Sequence, residues 1–196
     1  MNGSLMSDSA ESKNRLSRIV TRTGDGGMTG MADGARIPKT HPRVVALGEL
    51  DELNAHIGLL RSYMKDAAFT SFDAFLEVQQ HALFDLGGFI AMAGLADEAM
   101  LPDLDALEKW VEQSNADLPP LKEFILPGGS VVLAQSHVAR VTARRAERNL
   151  WALVAEEASI EPVAVYLNRL SDALFVLARL LGAADGSVVY WRKPAR

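Results

Sequence analysis

From Arg43 to Leu181 apolar residues recur at three- and four-residue steps, a period that commits most of this 196-residue chain to helices rather than strands. The spacing predicts five of them: Arg43 to about Lys65, Phe72 to about Ala93, Pro102 to about Asn115, Ser130 to about Glu157, and Pro162 to about Leu181. Pro102 and Pro162 suit a first helical turn, where the missing N–H has no helical partner to lose. The PPL and LPGGS segments break the chain between the third and fourth helices, and Gly182 is placed to stop the fifth. Beyond it, SVVYWR reads as a short extended segment. There is no internal repeat and no second apolar core. The expected fold is therefore all-α, a five-helix bundle filling residues 18–196 as one domain behind a disordered tail over 1–17.

Composition narrows the chemistry. With no cysteine, the chain has no thiolate nucleophile, no disulfide and no Cys-built zinc site. The opening MNGSLMSDSAESKNRLSR has no apolar core region and carries acidic residues, so it reads as neither a secretory signal nor a transit peptide. No apolar run approaches the roughly 18 residues of a membrane span, and the expectation is a soluble, cytoplasmic protein. An excess of 25 Asp and Glu over 20 Lys and Arg argues against broad nucleic-acid binding while leaving room for a local anion site.

Three segments stand out against that background. The stretch HVARVTARRAERNL sets four arginines into nine residues, and at about 100° per residue His137, Arg140, Arg144, Glu147 and Arg148 share one sector, with Val138, Val141, Ala146 and Leu153 largely elsewhere. The following helix places Asn168, Asp172, Phe175 and Arg179 on one face and its leucines on the other. Two such seams fit a pair of solvated, salt-bridged faces, and they equally fit the walls of a cleft that receives an anion, where arginine's fork binds phosphate oxygens bidentately. The third segment, TRTGDGGMTGMADGARIPKTHP from Thr21 to Pro42, lacks apolar periodicity and reads as an irregular loop. Its glycines would let backbone N–H groups approach a phosphate and its threonines offer hydroxyls, with Lys39 supplying a further cation. It is not a Walker loop, and an ordinary turn-rich connection explains it as well.

Two pairs invite a metal reading: Glu52 with His56, and Glu77 with His81, each one helical turn apart. A di-iron bundle site uses Glu-x-x-His pairs with further inward glutamates, and the spacing here is four rather than three, so no metal-ligand set is assigned.

Taken in order, TRTGDGGMTG, PRVVALGELDELNAHIG, FILPGGS, HVARVTARRAER and NRLSDALFVLAR resemble the PduO-type ATP:cob(I)alamin adenosyltransferases, over about Arg18 to Arg192. The resemblance implies transfer of the 5′-deoxyadenosyl group of ATP to the cobalt of cob(I)alamin, formed from cob(II)alamin, giving adenosylcobalamin and triphosphate. By the same resemblance Thr21, Arg22, Thr23, Gly24, Asp25, Gly26, Gly27 and Thr29 fold over ATP and Mg²⁺, and Lys39, Arg144, Arg145, Glu147, Arg148 and Asn168 complete the nucleotide pocket. Arg140 matches an arginine paired with an aspartate across a subunit boundary, and Asp51 matches that aspartate, which implies an active site between subunits of a homotrimer. Phe124 matches a phenylalanine that occupies the lower corrin face and excludes the axial base; packing in the core is the competing explanation for an apolar residue there.

The sequence departs from the family pattern at Val20, Leu47 and Ala173, where tyrosines are frequent, and at Gly26, often a lysine. A corrinoid reductase and an adenosylcobalamin-dependent enzyme are the implied partners. A corrinoid carrier that has kept the fold without the catalysis is the alternative, and the intact TRTGD and RRAER segments count against it.

Overall fold

The computed structural model describes residues 19–65, 69–92 and 95–193, so the tail expected over 1–17 lies outside the described residues, as does Ala93 at the expected end of the second helix. Five helices run in the expected order: α1 (Pro42–Tyr63), α2 (Thr70–Ala91), α3 (Leu104–Ala116), α4 (Val131–Val154) and α5 (Glu161–Asp185). Ahead of them β1 (Met28–Gly30) pairs antiparallel with β2 (Arg36–Pro38), so the segment read as irregular contains a small ribbon. The Asp33-Gly34 pair is the turn signal for it: Gly34 has φ +86°, and Asp33 Oδ1 accepts from the Ala35 amide at 2.9 Å.

Local chemistry explains most helix ends. The Ser130 hydroxyl accepts from Leu133 N to start α4, and Asp103 Oδ1 accepts from Ala106 N at 2.9 Å to start α3. The aspartate cap moves the start of α3 past Pro102, which therefore lies outside the helix rather than in its first turn; Pro162 does occupy the first turn of α5. Helix α4 ends at Val154, three residues before the expected Glu157, because Glu157 turns back to pair with Arg43. Arg43 is buried at the start of α1 and also donates to the Ile90 carbonyl at 2.5 Å, tying α1, the end of α2 and the α4–α5 turn together.

The core lies where α4 packs along α1 and α5, with α2 added against α1 and α3 against α5. Ala139, Ala143 and Ala146 on the buried face of α4 let that helix approach its neighbours closely, against Leu53 and Ile57 of α1 and Leu167, Leu170 and Leu174 of α5.

Gly182 does not stop α5. The helix continues to Asp185 and ends at Gly186, whose φ of +69° is the left-handed conformation of a C-cap. Gly182 instead clears space for the returning chain: a Cβ there would lie 2.4 Å from Val188 Cγ2 and 3.1 Å from Leu133 Cδ2. The segment after Gly186 then runs back as the expected extended piece, with Ile125 and Tyr190 bridged antiparallel. Gly182→Ala is expected to lower stability by about 1–3 kcal/mol through overpacking, despite alanine's better helix propensity. A thermal melt reads it, and an unchanged or raised midpoint would show that the space is not needed.

Candidate functional site

The N-terminal loop is shaped by its own backbone. Gly27 N donates to Gly24 O at 3.1 Å, Lys39 N to Gly27 O at 2.8 Å, and Asp25 N to Arg22 O at 3.4 Å. Arg22 has φ +59°, a left-handed conformation that non-glycine residues adopt at a cost and that is concentrated at functional turns. From the second strand Arg36 Nη2 donates to the Thr23 carbonyl at 2.7 Å and to Met28 O at 3.3 Å, clamping the turn shut. The Lys39 ammonium lies against Gly24, since a Cβ on that glycine would meet Nζ at 3.1 Å. Thr21 and Thr23 share a hydroxyl hydrogen bond at 3.0 Å. The structure thus gathers Thr21, Thr23, Gly24, Gly27 and Lys39, with Asp25, Gly26 and Thr29 on the same short stretch. Arg36 was not singled out in the sequence; the β-ribbon that delivers it was not legible there either.

Along α4 the arginines divide by partner. Arg145 is held by Glu49 at 2.7 Å and by Glu52, both of α1, and these bonds keep the Glu52 carboxyl below the ordinary glutamate range. Elsewhere Arg61 pairs with Asp73 at 2.8 Å and Glu77 at 3.3 Å, and Arg169 with Glu108 at 2.6 Å. Arg140, Arg144 and Arg148 make no ion pair among the described residues; Arg148 Nη1 donates only to the Arg144 carbonyl, at 3.2 Å. Glu147 Oε1 accepts from Trp151 Nε1 and from Asn168 Nδ2, both at 3.3 Å, which links the α4 stripe to the polar seam of α5. Glu52 and Glu77, the carboxylates of the two metal-like pairs, are thus both engaged by arginines. Among the described residues no three His, Asp or Glu side chains cluster as a metal site.

Beyond Arg140 the stripe opens into a cleft of about 460 Å³ lined by residues 121–125, His137, Arg140 and Phe175. Phe124 is 79% exposed on its wall, which overturns the core-packing explanation for it. Its backbone is nonetheless fixed: Trp191 N donates to Phe124 O at 2.7 Å and Leu126 N to Val189 O at 2.9 Å. The Arg140 guanidinium sits 5.9 Å from the Phe175 ring centroid, within cation–π range.

His137 departs from the expected pattern. It is 2% exposed, while Val138 and Val141, expected away from the polar sector, are 40% and 48% exposed. Burial and the neighbouring Arg140 charge both push the imidazole pKa down. Burial and Arg144 do the same to the Arg140 guanidinium.

Within one chain the pieces stay partly apart. No hydrogen bond or ion pair among the described residues joins the loop at 21–39 to the α4 stripe, and Asp51, exposed on α1, makes none with Arg140.

The family model described as cobalamin adenosyltransferase matches residues 19–181. This chain belongs to that family. It is 51% identical over 181 residues to a cobalamin adenosyltransferase of Cupriavidus metallidurans, spanning 92% of this chain and 97% of that one. It is 45% identical over 188 residues to a corrinoid adenosyltransferase of Mycobacterium tuberculosis, spanning 90% and 94%. A phenylalanine-to-alanine variant of a PduO-type ATP:corrinoid adenosyltransferase from Lactobacillus reuteri, solved with cobalamin and ATP, superposes with a TM-score of 0.81 at 33% identity, over 90% of this chain and all of that one. The resemblance carried by the five motifs is therefore a family relationship, and the five-helix bundle is the fold of its solved members.

Proposed function

We propose that this adenosyltransferase attaches the 5′-deoxyadenosyl group of ATP to the cobalt of a reduced corrinoid, releasing triphosphate, and that it does so between subunits of a homotrimer. The observation that carries the reading is the set of three α4 arginines, Arg140, Arg144 and Arg148, that no carboxylate neutralises among the described residues, the first of them lining the Phe124 cleft.

The reaction is a nucleophilic displacement. The cobalt(I) lone pair attacks C5′ of ATP, the C5′–O bond breaks with its electron pair leaving on triphosphate, and no proton transfer is required at the reacting atoms. Alignment and stabilisation of the leaving anion are then the main demands on the protein. Arg144 and Arg148 face the growing negative charge, Lys39 and the Gly24 and Gly26 amides hold the remaining phosphates, and Asn168 with Glu147 fixes one edge of the pocket. Arg145 reaches the nucleotide only by exchanging its ion pairs with Glu49 and Glu52. Mg²⁺ generally binds through substrate phosphates plus one or two carboxylates rather than in an all-protein cage. The donor set here fits that mode, since Glu147 uses only Oε1 among the described residues, and the ion would supply charge neutralisation of the polyphosphate.

An anaerobic assay with ATP and chemically reduced cobalamin tests the activity, the change in corrin absorbance reporting the cobalt–carbon bond. No bond formation at any Mg²⁺ concentration would leave a corrinoid carrier as the surviving reading. Residues 1–17 as a tail, a cytoplasmic location and supply of cob(II)alamin by a reductase belong to the same proposal. No described helix is long and apolar enough to cross a membrane.

Across the trimer boundary Asp51 would pair with Arg140 of the partner subunit. Asp51→Asn should then lower corrinoid affinity on the order of tenfold, with the trimer persisting on its apolar contacts. The exchange Asp51→Arg with Arg140→Asp should recover part of the loss, and an exchange that recovers nothing would remove the pairing.

A further inference from the structure

Arg140 is the only α4 arginine of the unpaired set that lies in the Phe124 cleft, and two groups fix its guanidinium from different sides. Phe175 of α5 lies under its face, 5.9 Å from Cζ to the ring centroid. His137, one turn earlier on α4, faces its edge, with Nδ1 3.4 Å from Arg140 Nε. A protonated guanidinium can only donate, so Nδ1 must accept, and the ring proton is on Nε2. That assignment requires a neutral imidazole, which burial of the ring and the adjacent positive charge both favour. Nε2 has no hydrogen-bond partner among the described residues although it is buried, an arrangement that costs stability and so calls for a role. Neither terminal nitrogen of Arg140 bonds to a described residue, so the two holds leave that end of the fork free.

We propose that His137 is a positioning residue for the corrinoid site: as a neutral acceptor at Nδ1 it orients the Arg140 guanidinium on Phe175, presenting its terminal nitrogens to the group that Arg140 serves. The inference deepens the reading of Arg140 given above and rests on it. The histidine touches neither substrate nor reacting atoms, and its effect passes through Arg140.

Side-chain shape supplies the test. Asparagine sets its Oδ1 near the position of Nδ1, glutamine sets its amide near Nε2, and leucine offers neither. Each variant is assayed in the full-length protein for its Kd for cob(II)alamin with ATP bound, its Kd for ATP, and its thermal midpoint. His137→Leu and His137→Gln should each weaken cob(II)alamin binding about tenfold with ATP affinity unchanged, and His137→Asn should stay within about threefold of the wild type. In an Arg140→Ala background, His137→Leu should add nothing, because the residue it positions is gone. Losses that follow the thermal midpoint across all three variants, or that add independently to Arg140→Ala, would make His137 a packing residue and overturn the proposal. Corrinoid binding unaffected by Arg140→Ala alone would remove the reading of Arg140 beneath it; binding lost in Arg140→Ala and kept in His137→Leu would overturn the role of His137 alone.

Discussion

Phe124→Ala is expected to fold as well as the wild type and to lose turnover when cob(II)alamin is the starting corrinoid. A buried phenylalanine cut to alanine costs roughly 3–5 kcal/mol, whereas a side chain exposed on a cleft wall falls within about 0.5 kcal/mol. Phe124 is of the second kind: its ring is exposed, and its segment is anchored by backbone bonds to Val189 and Trp191 that alanine also makes. The functional loss has a separate cause. If the Phe124 ring takes the place against the lower corrin face that the family resemblance implies, it would keep the axial base off cobalt, and without that donor Co(II) is destabilised relative to Co(I), so reduction becomes easier. Alanine leaves room for the base to stay bound. Turnover with a mild reductant should fall by about 100-fold, equivalent to roughly 2.7 kcal/mol, and recover in part when cobalamin is reduced to Co(I) beforehand. Electron paramagnetic resonance of bound Co(II) reads the axial ligand, and matching spectra from wild type and variant, both five-coordinate, would remove this role.

In the sequence alone Phe124 reads two ways. FILP looks like the entrance to a helix, where apolar residues are usually buried. Its exposure follows from tertiary pairing with a segment sixty-odd residues later, which no local pattern reports. The same returning segment explains Gly182: a glycine late in a helical pattern suggests a stop, but here it is the space that Val188 occupies. Helix number and order were legible because periodicity is local and long. The expected start at Ser130 is met because its hydroxyl caps α4, and the Asp103 cap explains why α3 begins two residues after Pro102.

Within the site, the identity of the polar residues was legible and their partners were not. A wheel projection puts His137 beside Arg140 and Arg144, yet says nothing of the residues at 121–125 that share its cleft, so its burial was invisible. It also gives Arg144 and Arg145 equal standing. Only the packing of α1 against α4 distinguishes them, by bringing Glu49 and Glu52 to Arg145. Among the described residues three arginines therefore remain unneutralised, for structural reasons that the linear charge pattern does not contain.

That distinction sets the largest expected effect on the chemistry, at Arg144 and Arg148. Each is exposed and without a carboxylate partner among the described residues, so removing either leaves no buried charge behind, and stability should change by less than about 0.5 kcal/mol. Charge-assisted hydrogen bonds to the departing triphosphate are worth roughly 1.5–3 kcal/mol each, so Arg144→Ala or Arg148→Ala should cut kcat by about 10–150-fold. The loss should fall on kcat more than on the KM for ATP, because the leaving oxygen gains its charge only as the C5′–O bond breaks. Lysine at either position restores the charge without the bidentate fork and should recover only part of the rate. Arg145→Ala gives the contrast. It takes the arginine partner from Glu49, which keeps only its bond from Asn149, and from Glu52, so its effect should appear in the thermal midpoint as well as in turnover. Wild-type turnover in both Arg144→Ala and Arg148→Ala would return the stripe to an ordinary solvated face.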